Sequence, residues 1–96
     1  DLIIASGYNI VPREVEEVLF EYPKVQEAVV AGIPDPKRGE TVKAYIVLKE
    51  GETFDRAKTM ALLREKLPAS HVPHDFEQVD SIPRTATGKV ARAMLK

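Results

Sequence analysis

The sequence predicts an α+β fold, a small antiparallel sheet with helices packed mainly on one side. Three observations predict it. Val42, Ala44, Ile46 and Leu48 alternate with Thr41, Lys43, Tyr45 and Val47, the period of a strand with one buried face. Val15, Val18, Leu19 and Tyr22 recur at i, i+3, i+4 and i+7, the period of a helix with one apolar side. Prolines and glycines punctuate the chain between such segments, at Pro23, Gly39, Gly51 and Pro68.

Each element follows in order. Residues 2–5 carry the apolar, β-branched content of a short strand, and Ser6-Gly7-Tyr8-Asn9 breaks it, glycine and asparagine both tolerating positive φ. Pro12 suits the first turn of a helix, where its missing N–H is not needed. That helix runs to Pro23, with Glu14, Glu16, Glu17 and Glu21 on its solvated side. Residues 25–33 form a short, largely buried strand, and Pro34-Asp35-Pro36-Lys37-Arg38-Gly39 is turn chemistry. So short a loop favours antiparallel pairing with the strand at 42–48. Thr53 or Asp55 caps a second helix reaching about Leu67, with Met60, Leu63 and Leu67 on one face. Pro68 stops it. A last strand is expected at 76–79, then a loose tether, then a short helix from about Val90. The order βα-ββ-α-β-α contains no repeat and no second domain.

Composition bounds the function. A chain of 96 residues makes one modest core and is too short for a typical two-domain enzyme. A net charge of −1 lacks the basic footprint of a nucleic-acid binder. There is no cysteine for a disulfide or thiolate metal site, and no apolar run approaches the roughly 20 residues that span a bilayer. The chain opens at Asp1 without methionine and enters an apolar run at once, which reads as a piece of a longer polypeptide.

Three places could carry chemistry. Gly88-Lys89 has the ending of a nucleotide P-loop, but that motif needs an earlier glycine where Pro83 stands, and Ser or Thr where Val90 stands. His71, His74 and Asp75 are close in sequence, yet they straddle Pro73 and no further histidine completes a metal set, so no metal site is expected. Ser70 beside His71 makes no catalytic triad by adjacency alone. The third place is a pair of glycine-containing segments at opposite ends, Ser6-Gly7-Tyr8-Asn9 and Thr85-Ala86-Thr87-Gly88-Lys89. No carboxylate lies beyond Asp80, while Arg84, Lys89, Arg92 and Lys96 are cationic, so the end of the chain attracts anions.

Here the sequence resembles a known family. Asp1-Leu2-Ile3-Ile4-Ala5-Ser6-Gly7-Tyr8-Asn9-Ile10-Val11-Pro12-Arg13-Glu14-Val15-Glu16 is similar to a signature of acyl-CoA synthetases, members of the adenylate-forming superfamily. Three more segments match in order: Val25-Gln26-Glu27-Ala28-Val29-Val30, then Gly32-Ile33-Pro34-Asp35 with Arg38-Gly39-Glu40, and Pro83-Arg84-Thr85-Ala86-Thr87-Gly88-Lys89. The resemblance covers residues 1–96 and implies the C-terminal lid domain alone, partnered by a large N-terminal adenylation domain that carries the ATP, magnesium and acyl sites.

The resemblance implies an ATP-dependent, AMP-forming ligase for a fatty or related carboxylic acid, with ATP and coenzyme A consumed. It implies that Lys89 is the catalytic lysine of adenylation, with Thr87 and Gly88 supporting the nucleotide loop. It implies that Gly7, flanked by Ser6 and Tyr8, admits the pantetheine arm of coenzyme A in a second pose. The isolated chain is expected to be inactive, and the whole enzyme to be cytoplasmic or peripheral to a membrane. Ser70-His71-Val72-Pro73-His74-Asp75 departs from the aromatic and basic residues common there in the family. The rival readings are another superfamily branch (a peptide synthetase adenylation domain or an aryl-CoA ligase) and a non-catalytic α+β interaction module. The peptide-synthetase branch typically has Asn-Gly-Lys where this chain has Thr-Gly-Lys.

Overall fold

Two long β-branched runs joined by a side-chain-stapled turn form the base of the molecule. β3 (Val25–Asp35) and β4 (Gly39–Leu48) pair antiparallel, with Ala28 opposite Ile46 and Val30 opposite Ala44. In the turn, Asp35 Oδ1 accepts from the N–H groups of Lys37 (2.8 Å) and Arg38 (3.1 Å). The computed structural model describes residues 2–91, 94 and 95.

β1 (Ile3–Ala5) and β2 (Tyr8–Ile10) make a second hairpin, and β1 joins β4 through Ala5 and Gly39. The sheet order is β2-β1-β4-β3, with β5 (Asp75–Gln78) also on β4. This corrects the expectation that residues 6–9 merely break the first strand. Tyr8 and Asn9 are paired strand, opposite Ala5 and Ile4, and only Ser6 and Gly7 turn. Both have positive φ, 52° and 83°, as a two-residue type I′ hairpin demands.

Between β4 and β5 lies α2 (Arg56–Lys66), and β5 runs parallel to β4 while the other pairings are antiparallel. A helical crossover returns the chain to the same end of the sheet, which is what parallel pairing needs. Asp55 caps α2, its carboxylate accepting from the N–H of Lys58 at 3.0 Å. α1 (Pro12–Phe20) opens on its proline. Both helices cover one face of the sheet, where Ile10, Val15, Leu19, Val30, Ala44 and Leu63 are all fully buried. Cutting a leucine such as Leu63 to alanine there costs about 2–5 kcal/mol.

The opposite face was expected to be open, and it is not. Tyr45 and Val47 are buried with Val29, Ala31 and Ile82, and Val79, Val90 and Leu95 pack against them. The C-terminal segment folds back as this second layer, and the Tyr45 hydroxyl donates to the Leu95 carbonyl at 2.7 Å. Glu16 also departs from the solvated role expected for it. Its Oε2 accepts from the N–H of Val30 at 2.8 Å, so a helix side chain covers part of the outer edge of β3. The short helix expected from Val90 falls partly on residues 92, 93 and 96, outside the described residues. Val90 itself bridges Arg84 in antiparallel fashion.

Candidate functional site

The segment expected to be a loose tether is an ordered hairpin. The N–H of Gly88 donates to the Thr85 carbonyl (2.9 Å), the N–H of Thr85 to Lys89 O (2.7 Å), and the N–H of Ala91 to Pro83 O (2.9 Å). Gly88 has φ +87°, the left-handed residue that follows a tight turn in a bulged hairpin. Side chains close the turn from within: Thr85 Oγ1 lies 3.0 Å from Thr87 Oγ1 and accepts from the N–H of Lys89 at 3.3 Å. Arg84 braces it from outside, donating to Gly88 O at 3.3 Å and pairing with Glu27 on β3.

Lys89 is exposed at the end of this turn. Among the described residues its ammonium has no hydrogen-bond or ion-pair partner. A fixed backbone thus presents a cation unpaired among the described residues, the arrangement that stabilises negative charge gathering on a bound anion.

The second cluster surrounds the Ser6-Gly7 turn. A groove of about 300 Å³ is lined by Ser6 and Tyr8 of the hairpin, by Arg38 after β3, and by Ser70, Val72 and His74. The loop carrying the last three is held from α2, where Arg56 Nη2 donates to His74 O at 2.7 Å. Arg56 also stacks on Phe76, 5.1 Å from its ring centre. Within the loop, Ser70 Oγ lies 2.8 Å from His71 Nδ1, a local pair with no carboxylate bonded to it among the described residues. A side chain built on Gly7 would meet nothing within 4 Å, so the space beside this glycine is open. The groove therefore combines an open backbone turn, hydroxyls, one guanidinium and one imidazole, a lining able to take a narrow polar arm ending in an anion.

The structure brings Ser6 and Tyr8 to one groove, with Gly7 in the turn between them, and keeps Thr87, Gly88 and Lys89 out of its lining. The Ser6 N–H is anchored to Arg38 O (2.9 Å) beside Gly39, whereas the Lys89 hairpin is anchored at Glu27, whose partner on β4 is Val47. Gly39 and Val47 are separated by roughly 26 Å of strand at ~3.3 Å per residue. Arg38 lines the groove, and Arg84 and Glu27 brace the Lys89 hairpin, contacts that motif reading did not specify. Their signal was weak because each acts across a distance in sequence that no local period reveals.

Known proteins share this fold. The family model described as AMP-binding enzyme C-terminal domain matches residues 14–89. A long-chain-fatty-acid–CoA ligase of Bacillus subtilis is 52% identical over 95 residues, covering 99% of this chain and 17% of that protein. The Mycobacterium tuberculosis fatty acyl CoA synthetase superposes with a TM-score of 0.90 at 33% identity, over 99% of this chain and 19% of that one. The amide bond synthetase McbA from Marinactinospora thermotolerans gives 0.93 at 43%, with the same coverage. The chain thus spans about a fifth of the length of the proteins it matches. By sequence and by fold, it belongs to the AMP-binding enzyme C-terminal domain family.

Proposed function

We propose that this chain is the lid domain, residues 1–96, of an ATP-dependent, AMP-forming acyl-CoA synthetase acting on a fatty or related carboxylic acid. Its partner is a large adenylation domain of the same polypeptide. The observation that carries the reading is the separation just described: one loop offers an ammonium with no partner among the described residues, the other an open glycine turn beside a groove lined by Ser6, Arg38 and His74. A two-step ligase needs one of these at each step.

In the first step a substrate carboxylate oxygen attacks the α-phosphorus of ATP, forming acyl-adenylate and releasing pyrophosphate. Two anions must meet, and the Lys89 ammonium offsets the charge that builds between them. Thr85, Thr87 and Gly88 hold its backbone in place. In the second step the thiol of coenzyme A loses its proton and attacks the acyl carbon, and AMP leaves with the bonding pair. Gly7, between Ser6 and Tyr8, leaves room for the pantetheine arm, while Arg38 and His74 face the same groove. Magnesium accompanying ATP takes its protein ligands from the large domain. The described residues hold no group of three or more His, Cys, Asp or Glu suited to it.

Among the described residues no helix is long and apolar enough to cross a membrane. The reading puts the enzyme in the cytoplasm, with membrane contact needed only for an acid that partitions into lipid. The 52% identity to a long-chain-fatty-acid–CoA ligase favours a fatty-acid–CoA ligase over the rival readings.

The test uses the full-length enzyme and a panel of carboxylic acids, following pyrophosphate exchange and thioester formation separately. Lys89→Ala is expected to slow adenylation by about a hundredfold or more. Thioester formation from supplied acyl-adenylate should survive. An adenylation rate close to wild type in this variant overturns the role given to Lys89.

A further inference from the structure

Arg38, Gly39 and Glu40 run antiparallel to Ile4, Ala5 and Ser6, and each fastens one of them. Arg38 O accepts from the Ser6 N–H at 2.9 Å, Gly39 pairs with Ala5, and Glu40 Oε1 accepts from the Ile4 N–H at 3.0 Å. The first two fastenings are main chain to main chain, so many sequences could make them. The third depends on a side chain. Beyond the Ala5–Gly39 pair no further residue of β1 is in register with β4, and the Glu40 carboxylate supplies the acceptor that Ile4 would otherwise find in a strand.

The carboxylate has a reserved place. A Cβ on Gly32 would come within 2.5 Å of Glu40 Oε2, 2.8 Å of its Cδ and 3.1 Å of Oε1. Gly32 is buried in β3 and is not among the residues of positive φ. Its requirement is for space, not for backbone freedom. Gly32 and Glu40 are thus one device, an empty spot and the carboxylate that fills it.

Resting on the reading of Gly7 as the coenzyme A turn, we propose that Glu40, seated over Gly32, is a positioning residue for the thioester step. It sets the tilt of the Ser6-Gly7 hairpin and hence the width of the groove that the pantetheine arm enters. Without it, β1 keeps only the Ser6–Arg38 bond and the Ala5–Gly39 pair, which sit side by side next to Gly7, and the hairpin is free to tilt about that short seam. Lys89, whose hairpin is tied to Glu27 at the other end of the β3–β4 pair, does not feel the tilt.

The experiment uses the full-length enzyme with Glu40→Ala, Glu40→Gln, Gly32→Ala and the Gly32→Ala/Glu40→Ala double variant. Thioester formation from supplied acyl-adenylate is measured across coenzyme A concentrations, beside pyrophosphate exchange and thermal unfolding. Glu40→Ala and Gly32→Ala are each expected to lower kcat/KM for coenzyme A by roughly ten- to a hundredfold, the scale for a misplacement near 1 Å. Adenylation should stay near wild type in both. The double variant should be no worse than either single one, because both remove the same contact. Glu40→Gln keeps an acceptor oxygen and should recover most of the loss. Hydrogen exchange at the Ile4 amide should quicken in both alanine variants and not in Glu40→Gln. Additive losses, equal losses in both half-reactions, or no loss at all overturn the proposal. A wild-type enzyme that makes no thioester overturns the acyl-CoA synthetase reading instead, and the Ile4 exchange then decides the Gly32–Glu40 device by itself.

Discussion

Arg84 and Glu27, far apart in sequence, meet in an ion pair that ties the Lys89 hairpin to β3. The same guanidinium donates to Gly88 O, so one side chain grips the turn and the sheet together. Both partners are partly exposed, which makes the pair worth only about 0.2–1 kcal/mol to stability. Its value lies in aim. Under the proposed function, Arg84→Ala in the full-length enzyme is expected to slow adenylation by about tenfold through loss of positioning. Its melting temperature should hardly move, and supplied acyl-adenylate should still be converted. Pyrophosphate exchange and thermal unfolding on the same protein check both halves, and Arg84→Lys should recover only part because it cannot grip two acceptors with a fork.

Gly7 separates two causes that a single substitution would mix. Its φ of +83° penalises any side chain, by about 1–2 kcal/mol for most residues and less for asparagine. Its surroundings are open, so bulk there strikes nothing within this domain. If the turn admits a substrate arm, Gly7→Leu should impair thioester formation far more than Gly7→Ala, with Gly7→Asn mildest in stability. Alanine and leucine falling together would make backbone strain the whole effect.

Tyr45 carries a structural prediction for the second layer. Tyr45→Phe removes the hydroxyl that donates to Leu95 O and is expected to cost about 1 kcal/mol, read in a denaturant titration. Tyr45→Ala also opens a cavity beside Val47 and Ile82 and should cost about 3–5 kcal/mol. Only the second should disturb the Lys89 hairpin enough to lower adenylation.

Lys43 fixes a pH dependence. Its ammonium donates to Glu77 Oε1 at 2.8 Å across the parallel β4–β5 pair and lies 4.8 Å from the centre of the Tyr45 ring. The Glu77 hydrogen bond raises its pKa above the usual 10.5, against burial, which lowers it; the charges of Tyr45, Asp75 and Glu77 add to the rise. A group raised on folding binds its proton more tightly in the folded chain. Its contribution is therefore complete below about pH 10.5 and is lost as pH climbs through the higher folded value. The difference in melting temperature between wild type and Lys43→Met should be constant at neutral pH and shrink above that point. A difference that grows with alkalinity would contradict the sign.

Much of this was legible from the sequence, for identifiable reasons. The stretches at 42–48 and 56–66 are read directly, because apolar residues recur along them at strand or helix spacing. Asp55 and Pro12 mark helix starts by local chemistry alone. β2 escaped because a three-residue strand has no period to detect, and because Ser6 at positive φ hides a hairpin turn behind an ordinary residue. The burial of Tyr45 was invisible since its cover arrives from Ile82, Val90 and Leu95, much later in the chain. The same holds for Glu40 on Ile4 and Arg84 on Glu27. Contacts between distant segments leave no periodic trace, and the motifs flagged these residues without saying what they touch.

Because Val90, Leu95 and Ile82 are packed into the second layer, the Lys89 turn cannot wander independently of the sheet. Under the proposed two-step cycle the whole domain must therefore behave as a stiff lever whose two tips take turns at one place. Leverage makes small angles expensive: over an arm of roughly 26 Å, a tilt of about 2° carries a tip about 1 Å, a shift able to cost about a hundredfold in rate. The seat between the two domains must then be cut to an angular tolerance of a degree or so. Substitutions there, far from any reacting atom, will register as losses of one half-reaction alone.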